Sequence, residues 1–288
     1  VTRARSPEDD TTLGRRGSWL LGGPMLVFVV AMFGYPAYLV LRTSVASGDG
    51  LESGGFSLTH YVTFFSDSLY LDALLNTFVI AVVSTAITAV LGLLYAYEIT
   101  RRPGLRTVLL LLLVLPLLVN GVVRIYGLQL GMISLDRLLL DAGLRDTPLG
   151  LQYSFAGIII ALVMFQFPFM ALAIYAGLSR LDVSLVEAAQ TLGAPRRAVL
   201  LRVVLPLAVP GLVAGSVLTF AAAAGTFIIP AMMGGGRVNT IPQMIYTSVS
   251  QTSQWATASA FAVVLVAILA VSILYSLRRG LRSTAGTR

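Results

Sequence analysis

Glu187-Ala188-Ala189-Gln190-Thr191-Leu192-Gly193, followed after nine residues by Val203-Val204-Leu205-Pro206, is the stretch on which the fold turns. It is a long, charge-bearing, helix-patterned segment wedged between two strongly apolar runs. Ser184-x-x-Glu187 forms a capping box, in which the hydroxyl satisfies an orphan amide and the carboxylate reaches back to the cap. Residues 185–192 read as about two helical turns, and Gly193 is placed to take the left-handed conformation that ends them. Pro195 suits the first turn of a second helix, where its missing N–H costs nothing. That helix carries Arg196, Arg197 and Arg202 and runs into Pro206 and Pro210, where the chain re-enters an apolar run. Ala188 and Ala189 leave little bulk on one side, so another surface can approach closely. The plainer alternative, an amphipathic hairpin lying on a membrane, leaves the spacing of Glu, Gly and Leu-Pro as coincidence.

Working outward, the composition belongs to a bilayer. Hydrophobic residues make up 57%, charged residues 11%, and mean hydropathy is +0.86, against roughly 25% charge in soluble domains. Without Cys, disulfides and thiolate metal sites are excluded. His60 cannot form a metal cluster alone and reads as a solvated loop side chain. All 20 basic residues are Arg. A P-loop needs its Lys to reach nucleotide phosphates, so any ATP that drives this chain is hydrolysed on another polypeptide.

Six apolar runs approach the roughly 20 residues that cross a bilayer: 19–41, 73–97, 107–123, 153–178, 203–232 and 255–277. The third is short. Pro36, Pro168, Gly211 and Gly215 inside them are tolerated where neighbouring helices cover the freed backbone. Threaded through six spans, Arg3, Arg5, Arg15, Arg16, Arg101, Arg102, Arg106, Arg180, Arg196, Arg197, Arg202, Arg278, Arg279, Arg282 and Arg288 fall on one side. Only Arg42, Arg124, Arg137, Arg145 and Arg237 fall on the other. The positive-inside rule puts both termini and the Glu187 loop in the cytoplasm, so the net charge of +7 is an orientation signal rather than a nucleic-acid footprint. Arg15-Arg16 precede a run longer than a signal h-region, which reads as an uncleaved first span. The organisation expected is a disordered cytoplasmic tail over 1–18, a six-span membrane domain over 19–277 with its loop at about 180–206, and a cytoplasmic tail over 278–288. Outside, the aromatic-rich 61–69 stretch reads as an interfacial helix and 132–152 as helix-like.

The Glu187 loop resembles the cytoplasmic EAA loop of permease subunits from binding-protein-dependent ABC importers. Within that superfamily, three further stretches resemble the spermidine/putrescine-type subfamily. They are Asn76-Thr77 opening the second span, Leu115-Pro116-Leu117-Leu118 with Val123-Arg124-Ile125-Tyr126, and Phe227-Ile228-Ile229-Pro230 with Gly234-Gly235. The similarity covers about residues 20–278. It implies an all-α polytopic protein of six transmembrane helices with the type I ABC importer (MetI-like) fold and cytoplasmic coupling helices. It implies no catalysis in this chain and no cofactor of its own, ATP and Mg being bound by a partner ATPase homodimer. The other implied partners are a second homologous permease in a heterodimer and an extracytoplasmic solute-binding protein; membrane lipid surrounds the chain, and nucleic acid is no partner. The coupling residues implied are Glu187, Ala188, Ala189, Gly193, Arg196, Leu205 and Pro206.

Candidate pathway residues are polar groups within spans, which are expensive in lipid and tend to face a cavity: Asn76, Asn120, Arg124, Gln129, Gln166, Thr219 and Thr226. Interhelical hydrogen bonding is the alternative for each, and snorkelling for Arg124. Glu98, at the end of the second span, has Arg101 and Arg102 as structural partners. The solute implied is a polyamine carried across the inner membrane, although Gly225-Thr226-Phe227 stands where related permeases carry Gly-Glu-Phe. An amino-phosphonate, an opine-like compound or ferric iron fits the same machine. An ion-coupled secondary transporter would need ionisable residues near the midplane. A membrane-embedded enzyme would need a nucleophile–base pair or metal cluster. The spans carry neither.

Overall fold

The computed structural model describes residues 10–48, 55–179, 191, 193 and 195–285. Among these the regular elements are helices, and an isolated antiparallel bridge pairs Ala46 with Phe56. α1 spans Asp10–Ser44, α2 Thr59–Ser66, α3 Ser68–Arg101, α4 Arg106–Val114, α5 Gly121–Asp141 and α6 Phe155–Leu178. The short α7, Arg196–Val199, passes through a widened turn at Leu200–Val204 into α8, Leu205–Gly225. α9 is Ile228–Gly234, α10 Ile241–Ser250 and α11 Trp255–Ala285.

Five stretches are long and apolar enough to cross a membrane: Gly23–Ser44, Ser68–Arg101, Phe155–Leu178, Leu200–Gly225 and Trp255–Ser276. Pro103–Leu118 and Gly121–Asp141 are long and apolar enough only as a pair, and they meet at 101°, the geometry of a broken span or a re-entrant loop. The straight third span expected over 107–123 is therefore corrected. Pro116 has no N–H to donate, the chain tightens into a 3₁₀ turn at Leu115–Leu118, and Val119 is extended with ψ 134°. Asn120 then starts a new helix by accepting from the Val122 amide at 2.9 Å. The fifth span is corrected too: it ends at Gly225, Thr226 is extended (φ −81°, ψ 136°), and α9 begins anew at Ile228. At the two ends, residues 10–18 belong to α1 and residues 278–285 to α11, where tails were expected.

The centre is a three-helix core of α3, α6 and α8. α3 and α6 run in the same direction, because Ile80 and Ala81 cluster with Leu162 while Gly92 lies against Met170; α8 runs against them, because Gly215 lies against Met170 and Gly211 against Ala173 and Ile174. A Cβ on Gly211 would stand 2.6 Å from the Ala173 carbonyl oxygen. Two apolar clusters stack along this core. One joins Ile80, Ala81, Leu162 and Ala223 with Ile125 and Met233; the other joins Ala96, Met170, Ile174, Leu178, Val199, Val204 and Ala208. A third cluster ties α2 to α3, α10 and α11 through Phe64, Phe261 and Tyr70, with Phe64 and Phe261 ring centroids 5.0 Å apart. α1 packs on α11, and no residue of its apolar window is fully buried within the chain.

Candidate functional site

Of the coupling residues, Glu187, Ala188 and Ala189 lie outside the described residues. Gly193 has φ +81°, in the left-handed region, and among the described residues no atom beyond its chain neighbours lies within 4 Å of where a Cβ would sit. The Pro195 carbonyl accepts from the Ala198 amide at 2.8 Å and the Val199 amide at 3.2 Å, so it caps α7, where Arg196 is the first residue. The turn Leu200–Val204 widens so that the Leu205 amide reaches the Leu200 carbonyl. Pro206 explains this, since a proline lacks the amide that would close the next turn and its ring crowds the preceding carbonyl. Val199 and Val204, each 1% exposed, bury this segment against Ala96 and Leu178, the ends of α3 and α6. The segment is thus continuous, through Leu205 and Pro206, with the core helix α8.

Beside it, Glu98 pairs with Arg102 (2.8 Å) and Arg101 (3.8 Å), the structural partners its sequence position suggested. Arg106 lies over the Tyr175 ring at 5.4 Å, and Tyr95 donates to the Leu109 carbonyl at 2.9 Å, tying α3 to α4.

The seven polar span residues do not come together. At the end remote from residue 193, Asn76 donates to the Asn239 carbonyl at 3.2 Å and Gln129 to the Met232 carbonyl at 2.8 Å. These bonds tie α3 and α5 to the α9–α10 region. Arg124 lies over the Phe165 ring at 4.1 Å, with Nε and Nη1 buried and unpartnered among the described residues. Asn120 is exposed and spent as a helix cap. Thr226 occupies the break after α8, beside Phe227, whose ring stacks on Tyr246 at 4.6 Å. Thr219 and Gln166 are buried in the three-helix core, at 1% and 4% exposure.

Sequence reasoning missed the α3 hydroxyls. Thr77 accepts from the Ile241 amide at 2.9 Å, joining α3 to the start of α10. Ser84, Thr85 and Thr88 are buried on the same helix. The three- and four-residue spacing of Thr88 from Thr85 and Ser84, which sets it beside both, was the available signal. His60, read as solvated, is hydrogen-bond distance from Thr257 (Nδ1 to Oγ1, 3.1 Å), because α2 folds back onto α11.

Residues 70–282 match the family of binding-protein-dependent transport system inner membrane components. The chain belongs to this family. Among its curated relatives is the spermidine/putrescine transport system permease protein PotB of Escherichia coli strain K12. That protein is 32% identical over 245 residues, covering 83% of this chain and 89% of the relative. PotB of Haemophilus influenzae is 32% identical over 254 residues, covering 86% and 87%. PotC of Escherichia coli strain K12 is 24% identical over 238 residues, covering 81% and 83%. In fold, the inner membrane component is similar to a chain of a bacterial alginate ABC transporter in complex with alginate pentasaccharide-bound periplasmic protein. The TM-score is 0.78 at 20% identity, covering 95% of this chain and 97% of that one. This inner membrane component is a multi-pass membrane protein and a transport subunit with the permease fold.

Proposed function

We propose that this inner membrane component is the permease subunit through which a polyamine crosses the membrane, driven by ATP hydrolysed on a separate subunit. The observation that carries the solute is 32% identity to the spermidine/putrescine permease PotB over 83% of the chain. Its likeness to PotC as well supports a heterodimer of two homologous permeases. The remaining partners are an ATPase homodimer, which binds ATP and Mg, and an extracytoplasmic receptor. The distribution of Arg supports a cytoplasmic location for both termini and for the coupling segment.

Coupling runs through Glu187, Ala188, Ala189, Gly193 and Arg196 into Leu205 and Pro206, then along α8 into the core. To shift the permease between inward- and outward-facing states, this segment must interact differently with the open and closed ATPase. A solute path that must release its cargo tolerates weak contacts. Thr226 brings no carboxylate to it, but the adjacent Phe227–Tyr246 pair offers aromatic faces, each worth roughly 0.5–2 kcal/mol to an ammonium group.

The experiment is reconstitution of the chain with its ATPase, second permease and receptor in proteoliposomes, followed by uptake of radiolabelled spermidine and putrescine. ATP-dependent uptake is expected, with Thr226→Glu tolerated or improving it and hindering an anionic solute. A complex that assembles and hydrolyses ATP yet imports neither polyamine rejects the solute. A chain that purifies without an ATPase or second permease rejects the machine.

A further inference from the structure

A level of polar side chains crosses the three-helix core between its two apolar clusters. On α3 it holds Ser84, Thr85 and Thr88, on α8 Thr219 and on α6 Gln166, all buried. The register places them together: Ile80 and Ala81 share one cluster with Leu162 and Ala223, while Gly92 and Gly215 meet Met170 on the other side. Three of the hydroxyls donate within their own helices: Ser84 to Ala81 O at 3.3 Å, Thr88 to Ser84 O at 2.6 Å and Thr219 to Gly215 O at 2.8 Å. With those protons committed, each oxygen offers its surroundings only lone pairs.

Gln166 is different. Its residue is 4% exposed, and both Nε2 and Oε1 are buried with no partner among the described residues; Thr85 Oγ1 is in the same condition. A buried amide with two donors and an acceptor left unmade is a rare and costly arrangement in a folded protein. Water answers it, since one molecule can accept from the amide and donate to a hydroxyl lone pair, and buried water typically makes about three such bonds. A half-open, mostly apolar groove of about 460 Å³ between α3, α8 and α11 reaches the level at Thr85, with Ser216 and Ser272 also on its wall.

We propose that Gln166, Thr85 and Thr219 bind buried water midway along the span, and that this wet layer is where α6 shifts against α3 and α8. Two residues on, Pro168 removes the amide that would bond the Met164 carbonyl, so α6 is locally weakened one step from Gln166. Water-bridged contacts re-form after a small displacement, whereas the glycine-to-methionine contacts below are interlocked. The shift rests on the transport reading above; the water site does not.

Hydroxyl-radical footprinting of the full complex tests the site, because bound water oxidises side chains next to it even when they are buried. Met170, one helical turn from Gln166 and 0% exposed, is the reporter. Met170 is expected to be labelled in the wild type and to lose that label in Gln166→Leu and in the near-isosteric Thr85→Val. An unlabelled Met170 in the wild type, as a direct Gln166–Thr85 hydrogen bond would give, overturns the water site. So does a label that both variants retain. For the shift, Gln166→Leu is expected to melt a few degrees higher and import several-fold more slowly with its ATPase still bound. Wild-type uptake in that variant overturns the shift. A wild-type complex that imports no polyamine removes the solute reading, while the labelling still decides the water site.

Discussion

Where α8 leaves the 193–204 segment, backbones meet with nothing between them, Gly211 against Ala173 and Ile174. At the far end of the same bundle, helices break after Leu118 and Gly225, and alongside the apolar cluster of Ile125 and Met233 the pieces are tied by side-chain bonds from Asn76, Thr77 and Gln129. Close packing of small residues resists shear, whereas one side-chain bond to a carbonyl can be exchanged for another. Under the proposed coupling, the contrast fits force transmission in the first region and adjustable geometry in the second. An importer permease needs that division if an ATPase pushes on one end and a solute passes at the other.

The comparison can be broken most severely at Gly211. Gly211→Val drives a branched side chain into the α6 backbone and is expected to destabilise the bundle by about 3 kcal/mol, read as loss of folded chain in a thermal or denaturant melt of the complex. A variant that melts like the wild type would show that the packed end is not interlocked. Next comes Gly193→Val, whose cost is backbone strain of about 1–3 kcal/mol at positive φ. No described residue beyond its chain neighbours comes within 4 Å of a Cβ there, so the fold should survive while uptake collapses. Gly193→Asn, better suited to the left-handed region, should retain most uptake; equal loss in both would put the effect outside the turn.

The adjustable end should yield smaller effects. Gln129→Leu removes the bond to the Met232 carbonyl and is expected to cost about 1 kcal/mol, with a change in transport rate exceeding the change in melting. A loss as large as that of Gly211→Val would erase the contrast between the ends. Smallest is Glu98→Gln. Its side chain is 40% exposed and pairs within one helix terminus, so a change under about 0.5 kcal/mol is expected from the melt.

Much of this architecture was legible in advance. The spans expected at 73–97 and 153–178 became Ser68–Arg101 and Phe155–Leu178, because a long apolar run in a bilayer has no other way to satisfy its backbone. The breaks at Asn120 and Thr226 were not, because hydropathy does not change across them. Pro116 and Asn120 carried the signal for the first, but prolines are often tolerated within spans, and only the packing of α5 against α6 and α9 turns this one into a corner. Among the polar residues, Gln129 and Asn76 looked alike in sequence to Gln166. The first two found carbonyls on other elements; Gln166 is buried with no partner among the described residues.

By itself the sequence determined the environment, the unbroken crossings such as 73–97 and 153–178, the left-handed turn at Gly193 and the family, since each depends on composition or on local chain geometry. Which polar side chains face a neighbour, a cavity or one another was decided by tertiary structure alone. A serine or threonine in a helix can always bond the carbonyl four residues back, in lipid or in a core. Its presence in the sequence therefore carries no record of which face the packing will bury.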